Sequence, residues 1–110
     1  MNIKRILEHR QLSLLNSNGN MQNEISGIFA CDLLSHVMGH ANEGNILITV
    51  LNNINVLGVA SLLDFSAVIF THNTQVNQAI IDKANELEIP LLVTPLTTAE
   101  IVLELHTMGT

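Results

Sequence analysis

SGIFACDLLSHVMGHANEGNILITVLNNINVLGVASLLDFSAVIF, residues 26–70, holds two successive helix-and-strand units in which only Asp32, Glu43 and Asp64 are charged. Leu33, Leu34, Val37 and Met38 recur with i, i+1, i+4, i+5 spacing, the apolar face of a helix, with Asp32 where an N-cap stands and Gly39 and Gly44 to close it. Ile46 to Leu51 is β-branched and apolar on both faces, which is what a strand covered by helices on each side requires. Asn52, Asn53 and Asn55 mark the exit from that strand, and Ala67 to Phe70 forms the next buried strand.

Between them, Ile54 to Leu63 predicts a helix that is apolar on opposite faces. Ile54, Leu57, Gly58, Ser61 and Leu62 line one face, and Val56, Val59, Ala60 and Leu63 the other. A helix apolar all round must be buried all round. The sheet can cover one face, and an identical subunit is the simplest cover for the other. The expectation is a homodimer packed through Val56, Val59, Ala60 and Leu63.

Outward from this stretch the alternation continues. Ile3, Ile6 and Leu7 place a short amphipathic helix over Asn2 to Arg10, and Leu12, Leu14 and Leu15 a short strand running into the polar turn Asn16–Asn20. Ile25 to Cys31 reads as a strand with a tight backbone at Gly27. Downstream, Val76, Ala79, Ile80, Ala84 and Leu87 trace a helix that stops before Pro90, and Leu91 to Val93 makes the last strand. Thr97-Thr98-Ala99-Glu100 has the capping-box pattern, with Ile101, Val102, Leu105 and Met108 on the inner face of the closing helix. Strands alternating with helices argue for an α/β layered fold with a mainly parallel sheet, in one domain over residues 1–110.

Composition restricts the function classes. The chain is 47% hydrophobic but 3% aromatic, without Trp or Tyr, so the core is aliphatic and an aromatic platform for stacking bases or sugars is not expected. Ten acidic residues against four basic ones give a net charge of −6, and Lys4, Arg5 and Arg10 crowd three of the four bases into the first ten positions. Nucleic acid is therefore not an expected partner. Cys31 is the single cysteine, which permits no internal disulfide and fits a reducing compartment. The amino terminus is charged and amphipathic rather than a secretory signal, and the apolar runs fall far short of the roughly 20 residues that span a bilayer, so a cytoplasmic protein without a membrane partner is expected.

Ser26-Gly27, Asp32-Leu33-Leu34-Ser35, Val37-Met38-Gly39, Ile48-Thr49, Asn55 and Val59-Ala60 together resemble the DRTGG domain family over essentially the whole chain. That domain is similar to the amino-terminal domain of HPr kinase and to the substrate-binding amino-terminal domain of Mur ligases. The resemblance implies a three-layer α/β/α fold with a mainly parallel sheet, and a regulatory or ligand-sensing module rather than a catalyst. Such domains sit beside catalytic parts, including phosphotransacetylases and pyrophosphatases with nucleotide-sensing domains, and stand-alone forms accompany iron hydrogenase systems. The name-giving motif is degraded here: Glu24-Ile25-Ser26-Gly27-Ile28 keeps a hydroxyl and one glycine but lacks the arginine and the second glycine. No G-x-x-x-x-G-K-[ST] phosphate loop occurs, so kinase activity does not carry over.

In an open α/β sheet, ligands bind beyond the carboxyl ends of the strands. Those ends carry Asn52, Asn53 and Asn55, then Thr71, His72 and Asn73, then Thr94, Thr97 and Thr98. With Ser26, Gly27, Asp32 and Ser35 they make a candidate pocket for a small neutral or anionic ligand such as a nucleotide, although caps and turns also favour these residue types. His36 and His40 have the i, i+4 spacing of zinc ligands, but residue 37 is Val, Gly39 lies between them and no third ligand is evident, so neither a metal nor a cofactor is expected. No nucleophile signature such as G-x-S-x-G occurs. The functional expectation is a non-catalytic regulatory or accessory binding domain. Its alternative is an adaptor for a protein partner, such as an iron hydrogenase subunit, with no small ligand.

Overall fold

The computed structural model describes residues 1–110. Its elements run α1 (Ile3–Ile6), β1 (Ser13–Leu14), β2 (Gly27–Ala30), α2 (Leu34–His40), β3 (Asn45–Thr49), α3 (Asn55–Leu62), β4 (Ala67–Phe70), α4 (Gln78–Leu87), β5 (Leu91–Val93) and α5 (Thr98–Met108). The five strands form one sheet in the order β1-β5-β4-β3-β2. β2 to β5 are mutually parallel, and β1 pairs antiparallel with β5.

Two aliphatic cores explain why these segments become strands. Leu47, Val68, Phe70 and Leu91 turn to one face, where they pack with Val37 of α2, Val56, Leu57, Val59 and Ala60 of α3, and Ile80 and Ala84 of α4. The alternate residues Ile46, Ile48, Ala67, Ile69 and Leu92 turn to the other, against Ile3 and Ile6 of α1 and Ile101 and Leu105 of α5. Strands buried on both sides read as continuous apolar runs, as β3 and β4 do. The result is three layers: α2, α3 and α4, then the sheet, then α1 and α5. Each parallel step needs a crossover, and α2, α3 and α4 supply the three crossovers on one face.

Local expectations hold unevenly. β4, β5 and the capping box of α5 fall where the pattern puts them. α1 is shorter than Asn2–Arg10, because the chain turns after Leu7 and Leu12 N–H bonds to His9 C=O, bringing Leu12 into the second core. Asp32 does not cap α2: Leu33 occupies that position without a side-chain bond. Gly39 lies inside α2 rather than ending it, and of that helix only Val37 is buried, leaving Leu33 and Met38 exposed.

The largest correction concerns α3. Val56, Val59 and Ala60 are buried in the chain's own core, and Leu63 packs partly against it. These four are occupied by the sheet and the neighbouring helices, so they are not the surface of a dimer. The open face is the one bearing Ile54, Gly58, Ser61 and Leu62. Periodicity could not decide between two apolar faces. The fold does, because Leu57 joins Val56, Val59 and Ala60 on the sheet side.

Candidate functional site

The crossover pattern makes the two edges of the parallel sheet electrostatically unlike. α2, α3 and α4 run back across the sheet, so their amino ends lie toward the carboxyl edge of the strands and their carboxyl ends toward the amino edge. Helix N-termini carry partial positive charge and free N–H groups, and C-termini the reverse.

The carboxyl edge holds most of the residues expected there. Asp32, just past β2, reaches the end of β3: its Oδ1 accepts the Thr49 hydroxyl at 2.6 Å and the Val50 N–H at 2.9 Å. Thr49 Oγ1 in turn accepts the Leu51 N–H at 3.1 Å. Asn52 donates its amide to the Gln75 carbonyl and so ties the loop after β3 to the loop after β4. Asn53 Oδ1 takes the Asn55 N–H at 2.8 Å at the start of α3. Ser35 and Asn55 are exposed in the first turns of α2 and α3.

A second group lies after β4 and β5. His72 and Asn73 take consecutive left-handed backbone conformations, φ 56° and 54°, held because their N–H groups bond to the carbonyls of Leu96 and Thr94 at 2.8 and 2.9 Å. Such conformations are strained for residues with a Cβ and persist where neighbouring structure imposes them. Thr71 and Thr94 are fully buried. The Thr71 hydroxyl pairs with that of Thr98 at 2.9 Å, and Thr94 Oγ1 accepts the Leu96 N–H at 3.2 Å, so both are structural pins rather than open ligand contacts. At the start of α5, the Thr97 N–H donates to Glu100 Oε1 at 2.9 Å. That bond first, then the Thr97 side chain, hold the Glu100 carboxyl below its ordinary value against a weaker opposing effect of desolvation, and the nearby His72 adds the smallest contribution in the lowering direction.

The helix starts differ along this edge. Asn77 caps α4 and Thr97 caps α5 through side-chain bonds, whereas α2 and α3 have no side-chain cap from their N-cap residues. The N–H groups of Leu34, Ser35 and Ile54 find no backbone acceptor. These free donors stand at the starts of the two helices that follow adjacent strands, on the edge where Asp32 bonds Thr49 and Val50.

Ser26 and Gly27 do not belong to this group. They begin β2 while Asp32 follows it, and six residues of extended chain separate their ends by roughly 20 Å. Ser26 instead donates to the Glu43 carbonyl at 2.6 Å and accepts the Asn45 amide at 3.1 Å, bracing the turn into β3. Gly44 is required in that turn: its φ is +81°, and a Cβ there would meet Ser26 Oγ at 2.8 Å.

The same amino edge holds a groove of about 590 Å³ that the residue pattern did not suggest. Glu24, Glu43, Asp64 and Glu88 line it together with Asn20, Asn23 and Ser66. Asp64 and Glu88 sit in left-handed conformations just after α3 and α4. Carboxylates at helix carboxyl ends compound the negative potential there, which opposes any phosphate. The one local signal was an acidic residue at each helix end, where glycine or a base is usual.

No three of the His, Cys, Asp and Glu side chains converge as metal ligands do. The His36 and His40 rings stack at 4.0 Å, and His40 Nδ1 lies 3.0 Å from the His36 carbonyl.

The sequence pattern of the DRTGG domain matches residues 2–108. The chain belongs to the DRTGG domain family. Among solved structures, this DRTGG domain is similar to the CBS and DRTGG domains of the regulatory region of Clostridium perfringens pyrophosphatase, in complex with its activator diadenosine tetraphosphate, with a TM-score of 0.68 at 17% identity. The similarity covers 89% of this chain and 43% of that one, so the DRTGG domain spans less than half of the structure it matches, and the likeness is one of fold. No curated protein matches the sequence. No helix is long and apolar enough to cross a membrane.

Proposed function

We propose that this DRTGG domain is a non-catalytic regulatory or accessory module, cytoplasmic and homodimeric, that binds a nucleotide or similar anionic metabolite over the carboxyl edge of β2 and β3. The observation that carries the reading is the set of free N–H groups of Leu34, Ser35 and Ile54 beside Asp32. Helix starts with unsatisfied N–H groups favour phosphate oxygens, while the second oxygen of Asp32, which takes no hydrogen bond within the chain, is an acceptor for ribose hydroxyls. Asn53 and Asn55 add amide donors and acceptors at the same place. The amino-edge groove, by contrast, is lined by four carboxylates, which oppose an anionic ligand. The nucleotide activator of the structurally similar pyrophosphatase regulatory region supports a ligand of this class.

Thermal denaturation against a panel of mono- and dinucleotides tests the reading. A ligand that binds only the folded state at 100 times its Kd stabilises by about 2.7 kcal/mol, a shift of many degrees for a domain of this size. A shift that disappears in Asp32→Ala, in a variant shown to remain folded, supports the site. No shift with any nucleotide, together with co-purification of an enzyme subunit, overturns it in favour of an adaptor for a redox system such as iron hydrogenase. The exposed Leu33, Met38, Ile54 and Leu62 are what favour that second reading.

A further inference from the structure

We propose that the open face of α3 is where a second copy of this chain packs, the two helices crossing antiparallel about a two-fold axis at Gly58. The inference rests on the self-association in the reading above and names the surface that produces it.

Ile54, Gly58 and Leu62 are spaced four residues apart and form one ridge along α3 and its N-cap. All three are exposed, Ile54 to 46% and Leu62 to 66%. A ridge that is large, small, large about its middle residue is complementary to itself. Turned end over end about Gly58, it lays Ile54 of one copy beside the partner's Leu62, and Leu62 beside the partner's Ile54. That reciprocity is the requirement of a two-fold interface.

Gly58 supplies an independent argument. Glycine inside a helix costs about 1 kcal/mol relative to alanine. Inside the chain nothing requires it, because a Cβ at position 58 would meet no atom within 4 Å. A partner backbone approaching at the crossing point does require it, since two helices come closest where neither carries a side chain.

Charge singles out this face as the one that a copy of the same chain can use. Two molecules of net charge −6 repel. From Asn45 to Leu63 there is no charged residue, so α3 brings no carboxylate of its own to the crossing point. A stable interface needs about 800 Å² per partner, roughly one seventh of the 5610 Å² that the chain exposes. The α3 ridge is too narrow alone, and Leu33 at the N-cap of the adjoining α2 and Met38 within it, 64% and 48% exposed, add apolar surface.

The test is sedimentation equilibrium of the full chain at micromolar concentration, wild type against Gly58→Glu, with far-UV circular dichroism on both. The expected result is twice the 12.0 kDa chain mass for wild type and the single-chain mass for Gly58→Glu, with unchanged spectra. In a Cys31→Ser background, the double variant Ile54→Cys/Leu62→Cys is expected to oxidise to a disulfide-linked dimer while neither single variant does, because across the two-fold axis each of these residues faces the other and not itself. A monomeric wild type overturns both this proposal and the homodimeric part of the function. A dimer that survives Gly58→Glu overturns the surface alone and leaves self-association standing. A monomer that instead holds a different protein, released by Gly58→Glu, gives the face to a foreign partner and also overturns the proposal.

Discussion

Asp32 at the end of β2 accepts the hydroxyl of Thr49 at the end of β3, at 2.6 Å, with Thr49 itself 1% exposed. The bond joins two adjacent strands at the edge where the free helix N–H groups lie. Hydrogen bonds to a charged acceptor are stronger than neutral ones, and Asp32 also takes the Val50 N–H. Asp32→Ala is expected to cost about 1–2 kcal/mol and to lower Tm by about 5–10 °C. Asp32→Asn keeps the acceptor and is expected to lose markedly less. Equal losses in the two variants, read by thermal denaturation, would show that this acceptor is not what holds the edge together.

Asn16 offers a second polar test. It is 4% exposed and braces the entry into β5 twice, its amide donating to the Ile89 carbonyl and its oxygen accepting the Leu91 N–H, both at 2.8 Å. Asn16→Ala strands a buried donor and a buried acceptor together, with an expected destabilisation of about 2–4 kcal/mol in urea titration. A loss below about 0.5 kcal/mol would mean that neither group depends on this side chain.

Glu100 sets a pH dependence. Its folded-state pKa is depressed, first by the Thr97 backbone N–H. A depressed carboxyl contributes stability that is fully present above its unfolded-state pKa and is lost as pH falls through the folded-state value. The Tm gap between wild type and Glu100→Ala is therefore expected to be constant near neutrality and to shrink as acid carries the solution below the ordinary glutamate range. A gap that widens in acid contradicts the capping box as its source.

The fold was legible wherever burial on both sides left a single reading. Ile46–Leu51, Ala67–Phe70 and Leu91–Val93 read as apolar runs too short for helices and flanked by turn residues, and each holds a strand of the sheet, the first ending at Thr49 rather than Leu51. The site was legible only in part. Asp32 looked like a cap because cap statistics are local, whereas its acceptors are Thr49 and Val50, 17 and 18 residues away. Ser26 and Gly27 carried the family motif into the candidate pocket, although the strand they begin places them at the opposite edge. The amino-edge groove depends on Glu24, Asp64 and Glu88 meeting across the fold, which no window of sequence displays.

Val59 and Leu62 separate core from surface on the same helix. Val59 is 8% exposed among the core side chains, and Leu62 is 66% exposed on the open face. A carboxylate at position 59 has no cationic partner there and must either remain charged in an apolar core or be expelled with its helix. Val59→Glu is thus expected to cost on the order of 4 kcal/mol and to unfold much of the population at ordinary temperature. Leu62→Glu is expected to change the intrinsic stability of the single chain by no more than about 0.5 kcal/mol. Urea titration at a concentration low enough to hold both as monomers reads the difference directly. Were the order reversed, with Val59→Glu tolerated and Leu62→Glu unfolded, the face of α3 turned to the sheet would have to be the opposite one, and the dimer surface would move with it.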